Sequence, residues 1–146
     1  MRIALTSDEP YRVHDVIEAE LNRRGHTVVR FGAVASSREV PWVHAARDAA
    51  SAVASGDCVQ GIFLCWTGTG ICMAANKVPG VRAALCADAA TAAGARVWNH
   101  ANALCLSNRT LSDDMAKEIL AAWFDTPLGD QGAAGVSLLA ELESRR

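Results

Sequence analysis

The sequence has little of what would tie it to nucleic acid, membrane or metal. There is no basic surplus: 14 Lys+Arg stand against 16 Asp+Glu, the formal net charge is −2 and the pI is near 6.0. The pairs Arg23-Arg24 and Arg145-Arg146 are isolated, so no footprint for a phosphate backbone exists and nucleic acid is not an expected partner. Long hydrophobic runs are missing as well. Stretches such as Gly61 to Trp66 fall far short of the roughly 20 residues that a membrane span requires. Met1 to Leu5 meets the polar Ser7-Asp8-Glu9 too early for a signal peptide, which sets the expectation of a cytoplasmic protein with no membrane partner. The five cysteines (Cys58, Cys65, Cys72, Cys86, Cys105) include no Cys-x-x-Cys pair, and the four histidines (His14, His26, His44, His100) are scattered. That pattern fits neither a disulfide framework nor a zinc site. Most of the thiols read as small buried hydrophobes, and no metal or cofactor is expected.

What is present suffices for one core. A chain of 146 residues at 51% hydrophobic content reads as a single domain over 1–146, able to bury roughly 70% of its unfolded surface without staples. Arg2 to Thr6 reads as a strand leading into a polar helix start at Ser7 to Pro10. Val13, Val16, Ile17 and Leu21 recur at helical spacing between Tyr11 and Arg24, and Gly25 is the stop. Thr27 to Phe31 is a second strand ended by Gly32, and the Ala-rich stretch from Trp42 to Ser55 a second helix. Gly61 to Cys65 is apolar on both faces, as a central parallel strand should be. A glycine-bearing loop (Trp66 to Gly70), a short helix (Ile71 to Lys77), a turn at Pro79-Gly80 and a strand (Val81 to Cys86) follow. A helix from Asp88 to Trp98 and a strand from Ala103 to Leu106 come next, then a helix capped by Ser112 and running to Phe124. Gly129 to Gly135 reads as a loose linker before a last helix, Val136 to Ser144. This alternation predicts an α/β fold, a Rossmann-like three-layer α/β/α sandwich with a five-stranded parallel sheet and a C-terminal helix.

Ligands of such sheets bind beyond the carboxyl ends of the strands. That rule selects Asp8, Cys65 to Gly70, Cys86 to Asp88 and Ser107 to Arg109. Cys65 ends the most hydrophobic strand, and Gly68 and Gly70 behind it let backbone N–H groups point into a cavity at a helix start, an arrangement that holds anions and favours thiolate over thiol. Cys65 reads either as a base or nucleophile or as a buried strand cysteine beside an ordinary turn. The loop has neither Gly-x-Gly-x-x-Gly nor Gly-Lys-Ser/Thr, which demotes nucleotide binding.

The run Cys65-Trp66-Thr67-Gly68-Thr69-Gly70, with Ala74-Ala75-Asn76-Lys77-Val78-Pro79-Gly80-Val81-Arg82-Ala83-Ala84-Leu85-Cys86 and then Asn99, Asn102 and Leu104, closely resembles the type B ribose-5-phosphate isomerase and galactose-6-phosphate isomerase family. Ser7-Asp8 matches the family's Ser-Asp-His start, and the likeness extends to about Phe124. The resemblance implies aldose–ketose isomerisation through a cis-enediolate, without a metal. In it Cys65 moves the proton between C1 and C2, and the loop, including Gly68, Thr69 and Gly70, holds the developing oxyanion. Thr67 matches a residue that bonds substrate oxygens or relays a proton, with a plain loop hydroxyl as its other reading; Asp8 matches a binder of a sugar hydroxyl, with helix capping as its other reading.

The departures are specific. The family histidine that opens the sugar ring falls on Trp98, beside Asn99, and the histidine after the first Asp falls on Glu9. His100 is the nearest imidazole to take over ring opening; otherwise it reads as a surface histidine. The family's basic C-terminal segment meets Gly129 to Gly135, which has no cation, leaving Arg109 as the matching phosphate-side arginine or as a structural one. Trp66 replaces a loop glycine and either fills substrate space or packs on a neighbour. The expected substrate is therefore a small sugar or sugar phosphate, with a sugar that is non-phosphorylated or carries its phosphate differently, or a catalytically impaired subunit of a heteromeric isomerase, as alternatives. The resemblance also implies a homodimer or dimer of dimers with sites at the interface. Val136, Leu138, Leu139 and Leu142 suit a final helix packed on a partner subunit or on its own.

Overall fold

The computed structural model describes residues 1–145. Five strands form: β1 (Arg2–Ser7), β2 (Thr27–Phe31), β3 (Gln60–Cys65), β4 (Ala83–Leu85) and β5 (Ala103–Ser107). All pairs are parallel, in the order β2-β1-β3-β5-β4. The chain thus builds outward from β1 to one edge, then returns to β1 and builds the other half from β3. The carboxyl ends of β1 and β3 flank this reversal, where open parallel sheets leave a crevice.

Helices α1 (Val13–Arg23), α2 (Gly32–Ser36), α3 (Trp42–Ala54), α4 (Thr69–Ala75), α5 (Ala89–Asn99), α6 (Asp113–Asp125) and α7 (Ala133–Ser144) complete the chain, with a 3-10 turn at Asp130–Gly132. Alternation along each strand splits the core in two. Ile62 and Leu64 of β3 face Ile17 and Leu21 of α1 and Ile119, Leu120 and Trp123 of α6, while Phe63 and Cys65 face α3 and α4. α3 buries Ala45, Ala46, Ala49 and Ala50, so it lies close against the sheet. Phe63 folds over Gly61, where a Cβ would meet its ring at 2.3 Å. Burying that ring contributes on the order of 2 kcal/mol, and any side chain at position 61 would displace it.

Three expectations shift. The break at Gly32 is itself a one-turn helix, because Gly32 at φ +54° bridges to Ser7 and leaves no room for a Cβ, which would sit 2.5 Å from the Ser7 carbonyl oxygen. β4 is three residues long instead of six. Side chains take over where its ladder stops: the Asn76 amide exchanges two 2.9 Å hydrogen bonds with the N–H and C=O of Ala83, and Asn102 Oδ1 accepts from Arg82 N–H at 2.7 Å. The Gly129–Gly135 linker is ordered into the 3-10 turn and the start of α7. It is fastened by a hydrogen bond between His100 Nε2 and the Gly129 carbonyl. α7 buries none of its side chains.

Candidate active site

The register sets Cys65 opposite Ser107 and Leu64 opposite Ser7, so β1, β3 and β5 end on one edge. Cys65 is 5% exposed. The turn after it is tied back to β5: Asn108 N–H donates to the Cys65 carbonyl at 2.9 Å, and Arg109 N–H and Ser107 Oγ–H donate to the Trp66 carbonyl at 3.0 and 2.9 Å. Gly68 N–H closes the turn onto Cys65 O at 3.2 Å. Gly68 has φ +76°, and a Cβ there would lie 2.9 Å from the Leu106 backbone, so both conformation and space require glycine. α4 starts immediately after, inside the expected loop, and its first N–H groups have no acceptor within the helix. The Thr67 and Thr69 hydroxyls are exposed at this mouth and 2.6 Å apart. Gly70 packs under the Trp42 ring, where a Cβ would come within 3.2 Å.

Asp8 stands at the end of β1. It does not cap α1, whose N-cap position is Arg12. Its Oδ1 is buried without a hydrogen-bond partner. Burial raises its carboxyl above the ordinary carboxylate range, and the charges of Glu9 and Glu39 add to this. Glu9 accepts the Tyr11 hydroxyl at 2.9 Å. Trp66 packs against Tyr11, ring centroids 6.3 Å apart, and stays half exposed. Arg109 is exposed and lines a cleft of about 230 Å³ with Thr67, Ser107 and Cys86. Burial pushes the Cys86 thiol up to about 12 and holds that of Cys105 well above the ordinary range. Both are inert core groups. Asp88 caps α5 through the Thr91 N–H at 2.7 Å.

Trp98, Asn99 and His100 are elsewhere. α5 runs back toward the amino edge of the sheet, and its end precedes β5, whose five residues span about 15 Å. Within one chain these three do not approach Cys65. Trp98 lies along its own helix over Gly94 and is 64% exposed. Asn99 lines a groove of about 680 Å³ with Arg82, Leu139 and Leu142. His100 sits at the C-cap of α5 with φ +46°, its carbonyl accepting from Arg82 Nε at 3.0 Å and its Nε2 bonded to Gly129.

His14 had no role in the sequence reading, and Asn108 stood there only within the Ser107 to Arg109 segment; the two lie buried behind Cys65, 2.9 Å apart. The signal was present: the His14, Ile17, Leu21 spacing places an imidazole on the buried stripe of α1. Among the described residues, no group of three or more His, Cys, Asp or Glu is arranged to hold a metal ion, and no helix is long and apolar enough to cross a membrane.

These parts define a class, a three-layer α/β domain that sets a buried thiol against a threonine- and glycine-bearing turn at the carboxyl ends of its strands. A family model described as Ribose/Galactose Isomerase matches residues 3–137. D-erythrulose-4-phosphate isomerase of Pectobacterium atrosepticum is 37% identical, over 78% of this chain and 75% of its own. Ribose-5-phosphate isomerase B of Escherichia coli is 35% identical, over 91% and 89%. The solved ribose-5-phosphate isomerase B of Clostridium thermocellum superposes with a TM-score of 0.92 at 37% identity, covering 99% of both chains. The chain belongs to the ribose/galactose isomerase family and is an isomerase of the aldose–ketose, intramolecular oxidoreductase type.

Proposed function

We propose that the protein interconverts an aldose and a ketose sugar phosphate, of the ribose 5-phosphate/ribulose 5-phosphate type, with Cys65 as the base. The observation that carries this reading is the placement of Cys65, buried at the end of β3 and directly against the Gly68 turn and the start of α4. The Cys65 thiolate takes the proton from C2 of the open-chain aldose. The C2–H electron pair becomes the C1=C2 bond, and the C1 oxygen gains charge beside the N–H donors of the turn and of Thr69 and Gly70. The thiol then returns the proton to C1, while Thr67 relays a proton from the C2 oxygen to the C1 oxygen, giving the ketose. The orphaned Asp8 Oδ1 takes a sugar hydroxyl, with Glu9 and Trp66 walling that side and Arg109 facing the other.

The same reading makes the protein a homodimer or a dimer of dimers. Trp98 and Asn99 are exposed and on the far edge, so they contribute to catalysis only at the Cys65 of a second copy. His100 is anchored at the same edge by the bond between its Nε2 and the Gly129 carbonyl, so a ring-opening role is likewise open to it only at a second copy.

One observation favours a second reading, a substrate with no phosphate on the Asp8 side. Asp8, Glu9 and Glu39 gather there, and a phosphate dianion needs charge-assisted donors worth about 1.5–3 kcal/mol each, which this corner does not supply. The test is NMR in deuterated water with a panel of free and phosphorylated tetroses, pentoses and hexoses. Deuterium at C2 together with new ketose identifies the isomerase and its substrate class. Silence from a folded dimer refutes the reading and points to an impaired subunit of a heteromer.

A further inference from the structure

A buried polar cluster behind Cys65 has no part in the steps above. Ser7, His14 and Asn108 are 0%, 5% and 7% exposed, and burying three polar side chains is costly unless each is bonded. All three are. Tyr11 N–H donates to His14 Nδ1 at 3.3 Å, His14 Nε2 lies 2.9 Å from Asn108 Oδ1, and Asn108 Nδ2–H donates to Ser7 Oγ at 3.1 Å. A backbone N–H only donates, so Nδ1 carries no proton, Nε2–H is the donor to Asn108, and the ring is the neutral Nε2–H tautomer. Burial works in the same direction by lowering the imidazole's proton affinity, against opposing effects of Asn108 and Asp15. Asn108 also donates its own backbone N–H to the Cys65 carbonyl. Its side chain therefore sets where that N–H points, and His14 sets the side chain.

We infer that His14 is a positioning residue for the isomerisation: through Asn108 it fixes the peptide that carries Cys65, and with it the aim of the thiol at the substrate. The inference rests on Cys65 being the base. His14 does not touch substrate, because its ring is buried with Tyr11 packed edge-on at 6.0 Å. Its effect is one of orientation, which a misplacement of about 1 Å at a reacting group makes large.

The experiment uses the full-length protein and the sugar it turns over. His14→Leu keeps bulk and removes the donor; kcat is expected to fall about tenfold with KM held within about twofold. His14→Gln retains an N–H at similar reach and is expected to recover most of kcat. Asn108→Ala, which keeps the backbone N–H but cuts the link, is expected to match His14→Leu, and the double variant to lose no more than either single one. Unchanged kcat in His14→Leu, no recovery in His14→Gln, or additive losses in the double variant would overturn the inference. If His14→Leu fails to fold, Asn108→Ala and the wild-type imidazole decide: ¹⁵N spectra at neutral pH should show the neutral Nε2–H tautomer, and an Nδ1–H tautomer refutes the link. An inactive wild type would refute Cys65 chemistry instead, and the spectra would still judge the His14–Asn108 bond.

Discussion

Behind Cys65 the polar side chains of Ser7, His14 and Asn108 are buried and each is bonded, whereas at the amino edge of the sheet α7 buries no side chain at all. Around Cys65 the turn, β5 and α1 are knitted together by hydrogen bonds made within one chain. Along α7, Leu138, Leu139 and Leu142 are 60%, 44% and 59% exposed above the 680 Å³ groove, and Glu143 reaches the Gly80 N–H at 3.1 Å. The contrast separates two needs of an enzyme. On the proposed reading the aim of the base comes from the chain's own fold, while the apolar surface beside Asn99 stays exposed.

The comparison can be broken most severely at Cys65. Cys65→Ala is expected to remove about 10³-fold of the isomerase rate while circular dichroism and the melting transition stay near wild type; full activity would take the thiol out of the chemistry. Gly68→Ala strains the turn at φ +76° and collides with the Leu106 backbone. It should cost about 2 kcal/mol of stability in denaturant titration and about tenfold or more in kcat. On the other edge, Leu139→Glu with Leu142→Glu is expected to convert the assembly to monomers in light scattering and to lower activity about tenfold, with the monomer's fold intact. An unchanged mass would show that α7 covers no partner.

Two smaller effects sharpen the contrast by pH. Glu20, held by Arg23 and Arg24, has its carboxyl lowered from 4.5 to about 2. A depressed folded value gives stability that is present above pH 4.5 and lost as the pH falls toward 2, so Glu20→Gln should flatten the acid limb of the Tm-against-pH curve without changing kcat. Asp8 has the opposite sign. Its raised value means the ionised form is disfavoured in the folded state, so stability drops as the pH rises from 3.8 through the folded value. Asp8→Asn should raise Tm at neutral pH by about 1–2 °C while raising KM.

Much of this was legible in the residues. Strands of β-branched and apolar residues separated by Ala-rich helices made a parallel sheet hard to avoid, and Cys65 with its two glycines marked the edge to look at. The ordered turn at Asp130–Gly132 was not legible, because glycine and alanine carry no pattern and the order comes from His100, about thirty residues earlier. A still longer separation, 101 and 94 residues, hid the role of Asn108, whose partners Ser7 and His14 are set by strand order and helix phase. The distance of Trp98, Asn99 and His100 from the Cys65 of their own chain was hidden for a related reason. Their nearness to the cysteine in a family motif is a statement about sequence, and α5 carries them to the other end of the sheet.

The Asn76 amide answers both the N–H and the C=O of Ala83 on the open side of β4, as the backbone of a further strand would. The sheet therefore ends on a side chain. With the outward pair of Ala83 taken, a strand of three residues offers a poor template for another polypeptide, whether a sister chain during assembly or a misfolded one under stress. Growth in that direction is hindered at the level of the backbone, by one amide side chain in the place of a strand.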